Sequence, residues 1–367
     1  MALLYLLAFF TVMSAQYILY RVFALRRFRY SCELTRHRVS EGESVELVET
    51  VENGGFLPLL WIRIETGFHE SLLFVRNDSA RVSGGSYHRS VLSAPPFRRI
   101  QRRYGIVCSK RGYYRLGASV VTGGDPLGML NQIREFRSDI ELYVYPAPLP
   151  WHGLVLPARS WLGDAVVRRF ILPDPFMPSG VRSYLPGDPI KDINWKASAR
   201  TGGLVVHKHD FTADVKFTAF FDVDAETGQS VDSDSRQQQI MEQGIRLLAF
   251  VLDASVRNGR QTALRANSAS RRDGQEIEVP PGFGRGQREQ LLAAMAEMQF
   301  LHTRSFSTLL REAAQTEKNA DILLMTRFVT NEIQAEVESL RRSGNLVEIL
   351  LIPDLISDDG WKGGAAG

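Results

Sequence analysis

The first twenty residues, MALLYLLAFFTVMSAQYILY, contain no charged side chain, and Arg21, Arg26, Arg27 and Arg29 come next with no acid among them. At about 1.5 Å of rise per residue, a helix over this run is roughly 30 Å long, enough to cross the hydrocarbon core of a bilayer. Such a run has two fates, a membrane span or a cleaved export signal. An export signal carries basic residues ahead of its apolar stretch and a small-x-small cleavage site behind it; the sequence offers neither. Arginines directly behind the run hold that end on the cytoplasmic side. Residues 1–20 are therefore expected to lie in the lipid bilayer. Residues 1–30 form a transmembrane anchor with a basic flank, and the large C-terminal part faces the cytoplasm from the inner membrane.

The chain behind the anchor is too long for one ordinary core: a total of 367 residues predicts two domains plus the appendage. A hydrophobic content of 44% with 23% charged residues is that of a folded globular protein. The net charge of +3 excludes the strong basic excess of a dedicated nucleic-acid binder, so no nucleic-acid partner is expected. Cys32 and Cys108 are the only cysteines and there is no C-x-x-C, which excludes a disulfide framework or a cysteine zinc site and suits reduced thiols in the cytosol.

Residues 31–150 have the pattern of strands. SVELVETVEN alternates, LLWIRIET puts Ile62 and Ile64 on one face, and RGYYRLGASVVTGGD is β-branched and aromatic. Asn53-Gly54-Gly55, Gly84-Gly85 and Gly123-Gly124 read as turns at which glycine supplies positive φ. Short strands at regular spacing predict an antiparallel β-sandwich, ending in ELYVYPAPLP and a proline-rich linker. After residue 210 strands alternate with helices. DVKFTAFFDVD, QTALRAN, ADILLMT and LVEILLIPD read as strands, mostly of one parallel sheet. Between them lie helices with stripes Met241, Ile245, Leu248, Leu252; Leu291, Met295, Met298; and Ile333, Val337, Leu340. Gly282-Phe283-Gly284-Arg285-Gly286 comes after two prolines and reads as a flexible connection. The expected fold class is thus α+β multidomain: anchor 1–30, β-sandwich 31–150, linker 151–211, an α/β domain with a mostly parallel sheet over 212–356, and a flexible tail 357–367.

The linker holds the most crowded stretch, RSYLPGDPIKDINWKASAR, residues 182–200. Pro186-Gly187 makes a turn, Asp188 suits an N-cap, and Pro189 suits the first helical position. Asp192 one turn on complements the helix dipole, with Lys196 and Arg200 four and eight residues later. Trp195 lies to the side of that row and is expected to pack on a neighbouring surface, and Gly202-Gly203 ends the helix before a strand LVVHKHD.

The longer stretch GVRSYLPGDPIKDINWKASARTGGLVVHKHD resembles the signature of the domain of unknown function 58 family, GVR-x-Y-x-PGDP…INWK-x-SAR. The matching residues include Arg182, Tyr184, Pro186, Gly187, Asp188, Pro189, Asn194, Trp195, Lys196, Ser198 and Arg200. The resemblance implies a membrane-anchored protein with a β-rich region before a von Willebrand factor A-like α/β domain. It also implies a MoxR-type AAA+ ATPase as partner and a transglutaminase-like membrane protein as a second one, and it implies no established reaction. The signature residues, with Asp192, are the expected interaction segment, either as an interdomain joint or as a surface that a partner reads.

A von Willebrand factor A fold raises the question of a divalent cation, whose site needs Asp-x-Ser-x-Ser after the first strand. Here that place reads Asp222-Val223-Asp224-Ala225-Glu226, with acids where serines belong, and Thr326 ends a later strand. The expectation is a degenerate site without a resident cofactor. Its alternative is a metal-dependent hydrolase built on Asp222, Asp224 and Glu226, with His207 or His209 nearby. No nucleophile or P-loop motif is present, so no catalytic residue is assigned. One acid-free basic run remains: Arg98, Arg99, Arg102, Arg103, Lys110, Arg111 and Arg115, interleaved with Phe97, Tyr104, Tyr113 and Tyr114. It reads as solvent-facing strand residues, as a contact to the anionic inner leaflet, or as a single-strand nucleic-acid platform.

Overall fold

The computed structural model describes residues 2–75, 80–83, 87–148, 180–184, 193–208, 216–224 and 235–352. The chain divides into two compact units, Met1–Tyr145 and Pro146–Gly367. Gly84-Gly85, most of the proline-rich linker and the C-terminal tail lie outside the described residues.

The first unit opens with helix α1 (Ala2–Phe23), apolar and long enough to cross a membrane. Among the described residues, twelve strands come after it: β1 (Phe28–Leu34), β2 (Arg38–Ser40), β3 (Ser44–Asn53), β4 (Leu59–Gly67), β5 (Leu72–Phe74), β6 (Ala80–Ser83), β7 (Tyr87–Ala94), β8 (Arg98–Cys108), β9 (Gly112–Leu116), β10 (Ser119–Gly124), β11 (Asn131–Phe136) and β12 (Ile140–Tyr145). They form three sheets, ordered β1-β3-β8-β5, β11-β10-β4-β7-β6 and β2-β12-β9, antiparallel throughout except for β12 against β2. The alternation expected of β3 is observed, with Val45, Leu47 and Val51 buried, and Ile62 and Ile64 are fully buried on one face of β4. One apolar cluster, around Leu47, Ile106 and Leu142, includes Cys32 and Cys108; burial pushes these thiols up to about 12 and about 11, so both are inert at neutral pH. Tyr104, Tyr113 and Tyr114 are buried as well, which removes them as a base-stacking platform.

The second cluster joins the anchor to the strands. Tyr20, Ala24 and Leu25 at the end of α1 pack with Phe28, Leu57, Leu59, Ile62 and Val121. Tyr20 Oη donates to the Pro58 carbonyl at 3.1 Å, and the carbonyls of Arg21 and Leu25 accept from Gln132 Nε2 and Arg134 Nη1, each at 2.6 Å. These bonds satisfy carbonyls that a helix C-terminus leaves open. The expected positive-φ turns at Gly54-Gly55 and Gly123-Gly124 are not observed; both pairs lie outside the left-handed region. They are glycines because neighbours are close. A Cβ on Gly54 would meet the Arg27 carbonyl at 3.1 Å, and one on Gly124 would stand 1.8 Å from the Leu130 carbonyl.

Asn53 organises this end of the unit. Its buried amide donates to the carbonyls of Leu57, Ala94 and Pro95 at 2.9, 3.0 and 3.2 Å, while its Oδ1 accepts from Gly55 N–H at 3.0 Å. Asn53→Ala leaves these buried groups without partners and is expected to cost about 2 to 3 kcal/mol. Urea unfolding of the full chain in detergent would read this as a lower midpoint at unchanged slope.

In the second unit, β13 (Gly180–Ser183) pairs antiparallel with β14 (Val205–Lys208), with helix α2 (Trp195–Thr201) between them in sequence. The larger part is a mixed α/β sheet of β15 (Phe217–Phe221), β16 (Thr262–Ser270), β17 (Glu276–Gly282), β18 (Met298–His302), β19 (Asp321–Thr326) and β20 (Leu346–Leu351). Strands run in the order β17-β16-β15-β19-β20, parallel from β16 to β20, while β17 and β18 both pair antiparallel with β16. The helices are α3 (Ser235–Arg257), α4 (Gly284–Glu297), α5 (Phe306–Thr316) and α6 (Asn331–Arg342).

The three expected helical stripes are buried, with one change: Met298 is the first residue of β18 rather than the last turn of α4. Strands β16, β15, β19 and β20 run parallel as expected, and the sheet is mixed because β17 and β18 both add antiparallel to β16; Pro280 and Pro281 sit in edge strand β17, where a missing donor is tolerated. Gly282 to Gly286 is likewise a strand-to-helix junction, not a loose connection. Phe283 is the N-cap of α4, and Gln287 Nε2 folds back on the carbonyls of Thr262 and Pro280, each at 2.7 Å.

Candidate functional site

The signature segment folds as a small locked unit. Helix α2 starts at Trp195, and its N-cap is Asn194, whose Oδ1 accepts from Ala197 N–H at 2.9 Å. This corrects the expectation that Asp188 caps the helix and that Asp192 lies in its first turn. Ile193 just before the cap is bridged to Val206, which holds the chain extended there. Pro186, Gly187, Asp188, Pro189 and Asp192 lie outside the described residues. The helix ends as expected, at Gly202 with φ of 70°, its N–H on the Ser198 carbonyl.

Ser198 ties the helix to the strand. Its Oγ donates to the Asn194 carbonyl at 2.8 Å and accepts from Val205 N–H at 2.9 Å. Asn194 N–H reaches the Val205 carbonyl at 2.8 Å, and Tyr184 N–H reaches the Leu204 carbonyl at 2.9 Å. Arg182 is in β13 opposite Val206. Asn194, Ser198 and the backbone at Tyr184 thus serve the local fold. Trp195, Lys196 and Arg200 are exposed instead, and α2 has no buried residue. Trp195, expected to pack on a neighbouring surface, is 64% exposed.

The acid cluster lies at the carboxyl ends of the parallel strands, where the crevice of an open α/β sheet forms. Phe221, Ala266 and Met325 are aligned across β16, β15 and β19, so the next residues, Asp222, Asn267 and Thr326, meet at one level. Asp222 is 1% exposed. Its Oδ1 accepts from Asp224 N–H at 2.9 Å and Asn267 Nδ2 at 3.2 Å, and its Oδ2 accepts from Thr326 Oγ1 at 2.7 Å. Burial first, then the neighbouring Asp224 carboxylate, push the Asp222 carboxyl up to about 7.

Asp224 has its own structural task. Its Oδ2 accepts the first amide of α5, Phe306 N–H, at 2.9 Å, a cap and a favourable charge at that helix N-terminus. Asn267 closes the cluster: Nδ2 lies 2.9 Å from Asp224 Oδ1 and also reaches Asp222, while its Oδ1 accepts from Val223 N–H at 2.9 Å. A cation shared by the two carboxylates needs the position that this amide holds. Of the sequence-predicted ligands, Asp222, Asp224 and Thr326 do come together, and Glu226 lies outside the described residues. His207 falls on β14, opposite Val181, and His209 is outside the described residues. A histidine not anticipated, His302, approaches instead, with Nδ1 3.6 Å from Asp224 Oδ1. Asn267 was equally unforeseen, although its place one residue beyond a buried strand, level with Asp222, is a readable signal.

Residues 180–354 match the family model described as protein of unknown function DUF58. The uncharacterized protein YeaD of Bacillus subtilis (strain 168) is 24% identical over 190 residues, which cover 52% of this chain and 46% of YeaD. The chain thus spans about half the length of that curated relative. Among solved structures, the CARDB domain of a Pyrococcus furiosus protein is 14% identical, covering 32% of this chain and 91% of its own, with a TM-score of 0.22. A cohesin module from Clostridium perfringens is 11% identical, covering 30% and 95%, with a TM-score of 0.21. Likenesses of that size carry no argument about this chain. The segment that holds the signature helix and the mixed sheet, residues 180–354, belongs to the DUF58 family.

Proposed function

We propose that this chain is a single-pass, cytoplasm-facing protein of the inner membrane that acts as a non-enzymatic interaction scaffold. Its antiparallel half is a β-sandwich, and its mixed sheet is a von Willebrand factor A-like domain. Its partner is a MoxR-type AAA+ ATPase, as the signature resemblance implies, and a transglutaminase-like membrane protein is the second member of the assembly. Together they serve the assembly or maturation of membrane and envelope complexes.

The observation that carries this reading is Trp195. A large aromatic side chain is 64% exposed on a short helix whose cap, stop and strand contacts are all fixed. Tryptophan and arginine are the residues most enriched at binding hot spots, and a prearranged surface loses little entropy on association. Trp195, Lys196 and Arg200 together present such a surface. The acid cluster supports the non-enzymatic reading, because the oxygens of Asp222 are committed to partners inside the fold.

Trp195→Ala is expected to weaken co-purification of the ATPase with the full chain by about 30-fold, some 2 kcal/mol, at unchanged thermal stability. Ser198→Ala serves as the contrast, since it loosens the helix from β14 and lowers stability as well. Full retention of the ATPase by Trp195→Ala would remove this face from the interface.

A further inference from the structure

The reading of α1 as a membrane span leads to a second surface, at one end of the first unit. The apolar run of α1 has no charge before Arg21, and at about 1.5 Å per residue its last two turns lie at the edge of the hydrocarbon core when the helix spans it. Tyr20 is buried against Pro58, and Tyr17 packs on the same cluster. The loops that cover these tyrosines therefore reach up to the bilayer interface.

Three loops do so together. The β3–β4 loop is pinned to the turn after α1 by Gly54 N–H on the Arg27 carbonyl at 3.0 Å, and its Phe56 ring lies 5.5 Å from that of Phe23 at the end of α1. The β7–β8 turn is held to it by Phe97 N–H on the Gly55 carbonyl at 3.2 Å and by the amide of Asn53. The β10–β11 turn is fixed by Asp125, whose carboxylate accepts from the N–H groups of Leu127 at 3.3 Å and Leu130 at 2.7 Å, while Gln132 just beyond it caps α1. Their tips are Phe56, Phe97, Leu127 and Met129, all more than half exposed. Phe97 also holds a φ of 54°, a conformation that costs a bulky residue energy. Exposed Arg26, Arg27, Arg98 and Arg99 stand behind these tips. The acids there are Asp125, which is buried, and Glu52, 3.9 Å from Arg29.

We propose that this end of the unit is a membrane-inserted collar. The four apolar tips sit among the acyl chains around the exit of α1, and the arginines behind them meet anionic headgroups. An apolar rim backed by cations is the arrangement that a lipid surface containing phosphate groups takes up. The continuity of the collar with a helix of membrane length identifies the occupant as lipid. The anchor is then a rigid mount that fixes how the unit stands on the bilayer, rather than a tether.

The test uses single cysteines in the full chain, reconstituted into vesicles of phosphatidylcholine and phosphatidylglycerol; the native Cys32 and Cys108 are buried and do not label. Nitroxides are placed by Val12→Cys in mid-helix, by Phe97→Cys and Met129→Cys in the collar, and by Leu73→Cys. Leu73 pairs with Val107 at the far end of the sheet and is exposed there. The ratio of collisions with oxygen to collisions with a water-soluble nickel chelate is expected to be severalfold higher at 97 and 129 than at 73, with 12 highest. Ratios at 97 and 129 equal to that at 73, with 12 still lipid-exposed, would overturn the collar and leave the membrane span standing. A water-exposed label at 12 would overturn the span itself, and the collar with it.

Discussion

Asp222→Asn is expected to stabilise the second unit most at pH 8, by less at pH 5, and to leave it nearly unchanged only below about pH 4. In the folded protein the Asp222 carboxyl is pushed up to about 7 from an ordinary 3.8, so the folded state binds more protons than the unfolded chain between those values. Stability then rises as pH falls through about 7 and levels off below the unfolded value, by roughly 4 kcal/mol in all. The geometry explains the preference. Thr326 has one hydroxyl hydrogen, and both Asp222 Oδ2 at 2.7 Å and the Phe328 carbonyl at 2.9 Å ask for it. A protonated Asp222 donates to Thr326 Oγ1 and frees that hydrogen for Phe328. An asparagine amide does the same at every pH. Thermal unfolding of the full chain should show the second unit's transition in Asp222→Asn raised by roughly 5 to 10 °C at pH 8, with its pH dependence flattened. Equal destabilisation at both pH values would mean that the charged carboxylate is needed. Saturable binding of Mg²⁺, abolished by the same substitution, would mean that the cluster opens to a cation after all.

The first unit responds to acid in the opposite sense, through His88. This imidazole is 1% exposed, stacked on Phe74 at 4.3 Å and edge-on to Tyr104 at 4.6 Å, and among the described residues neither ring nitrogen has a hydrogen-bond partner. Burial therefore pushes it down from 6.5 to about 4. The folded pKa lies below the unfolded one, so the unfolded chain takes up the proton first and stability is lost as pH falls from 6.5 towards 4. The loss is about 2 kcal/mol by pH 5 and about 3 kcal/mol below pH 4. His88→Phe keeps the aromatic packing and removes the titration. It is expected to match the parent protein at pH 7.5 within about 1 kcal/mol and to exceed it by about 2 kcal/mol at pH 5. Urea titrations at the two pH values measure this directly, and an undiminished acid loss in His88→Phe would place its source elsewhere.

Much of the fold was legible because its elements are locally consistent. Strand β3 and helices such as α3 and α6 carry the period of their own structure in burial as well as in sequence, and β15, an apolar run, is buried along its whole length. What escaped reading depends on contacts distant in the chain. Gly54 and Gly124 look like turn glycines, and only the approach of the Arg27 and Leu130 carbonyls reveals their role. The cap of α2 is Asn194 rather than Asp188, because the pairing of Ile193 with Val206 delays the helix by a turn and more. At the acid cluster, Asp222, Asp224 and Thr326 were readable from a pattern. Asn267, which decides what the cluster does, becomes visible only when the strands are set in register.

The central claim, that the exposed face of α2 is read by an AAA+ partner, is tested most directly by crosslinking at that face. A photoreactive amino acid in place of Lys196, in the full chain in its native membrane, should yield adducts that mass spectrometry assigns to an AAA+ ATPase, and Trp195→Ala in the same chain should reduce them sharply. Crosslinks from this position that reach only lipid or the chain itself, unchanged by Trp195→Ala, would contradict it.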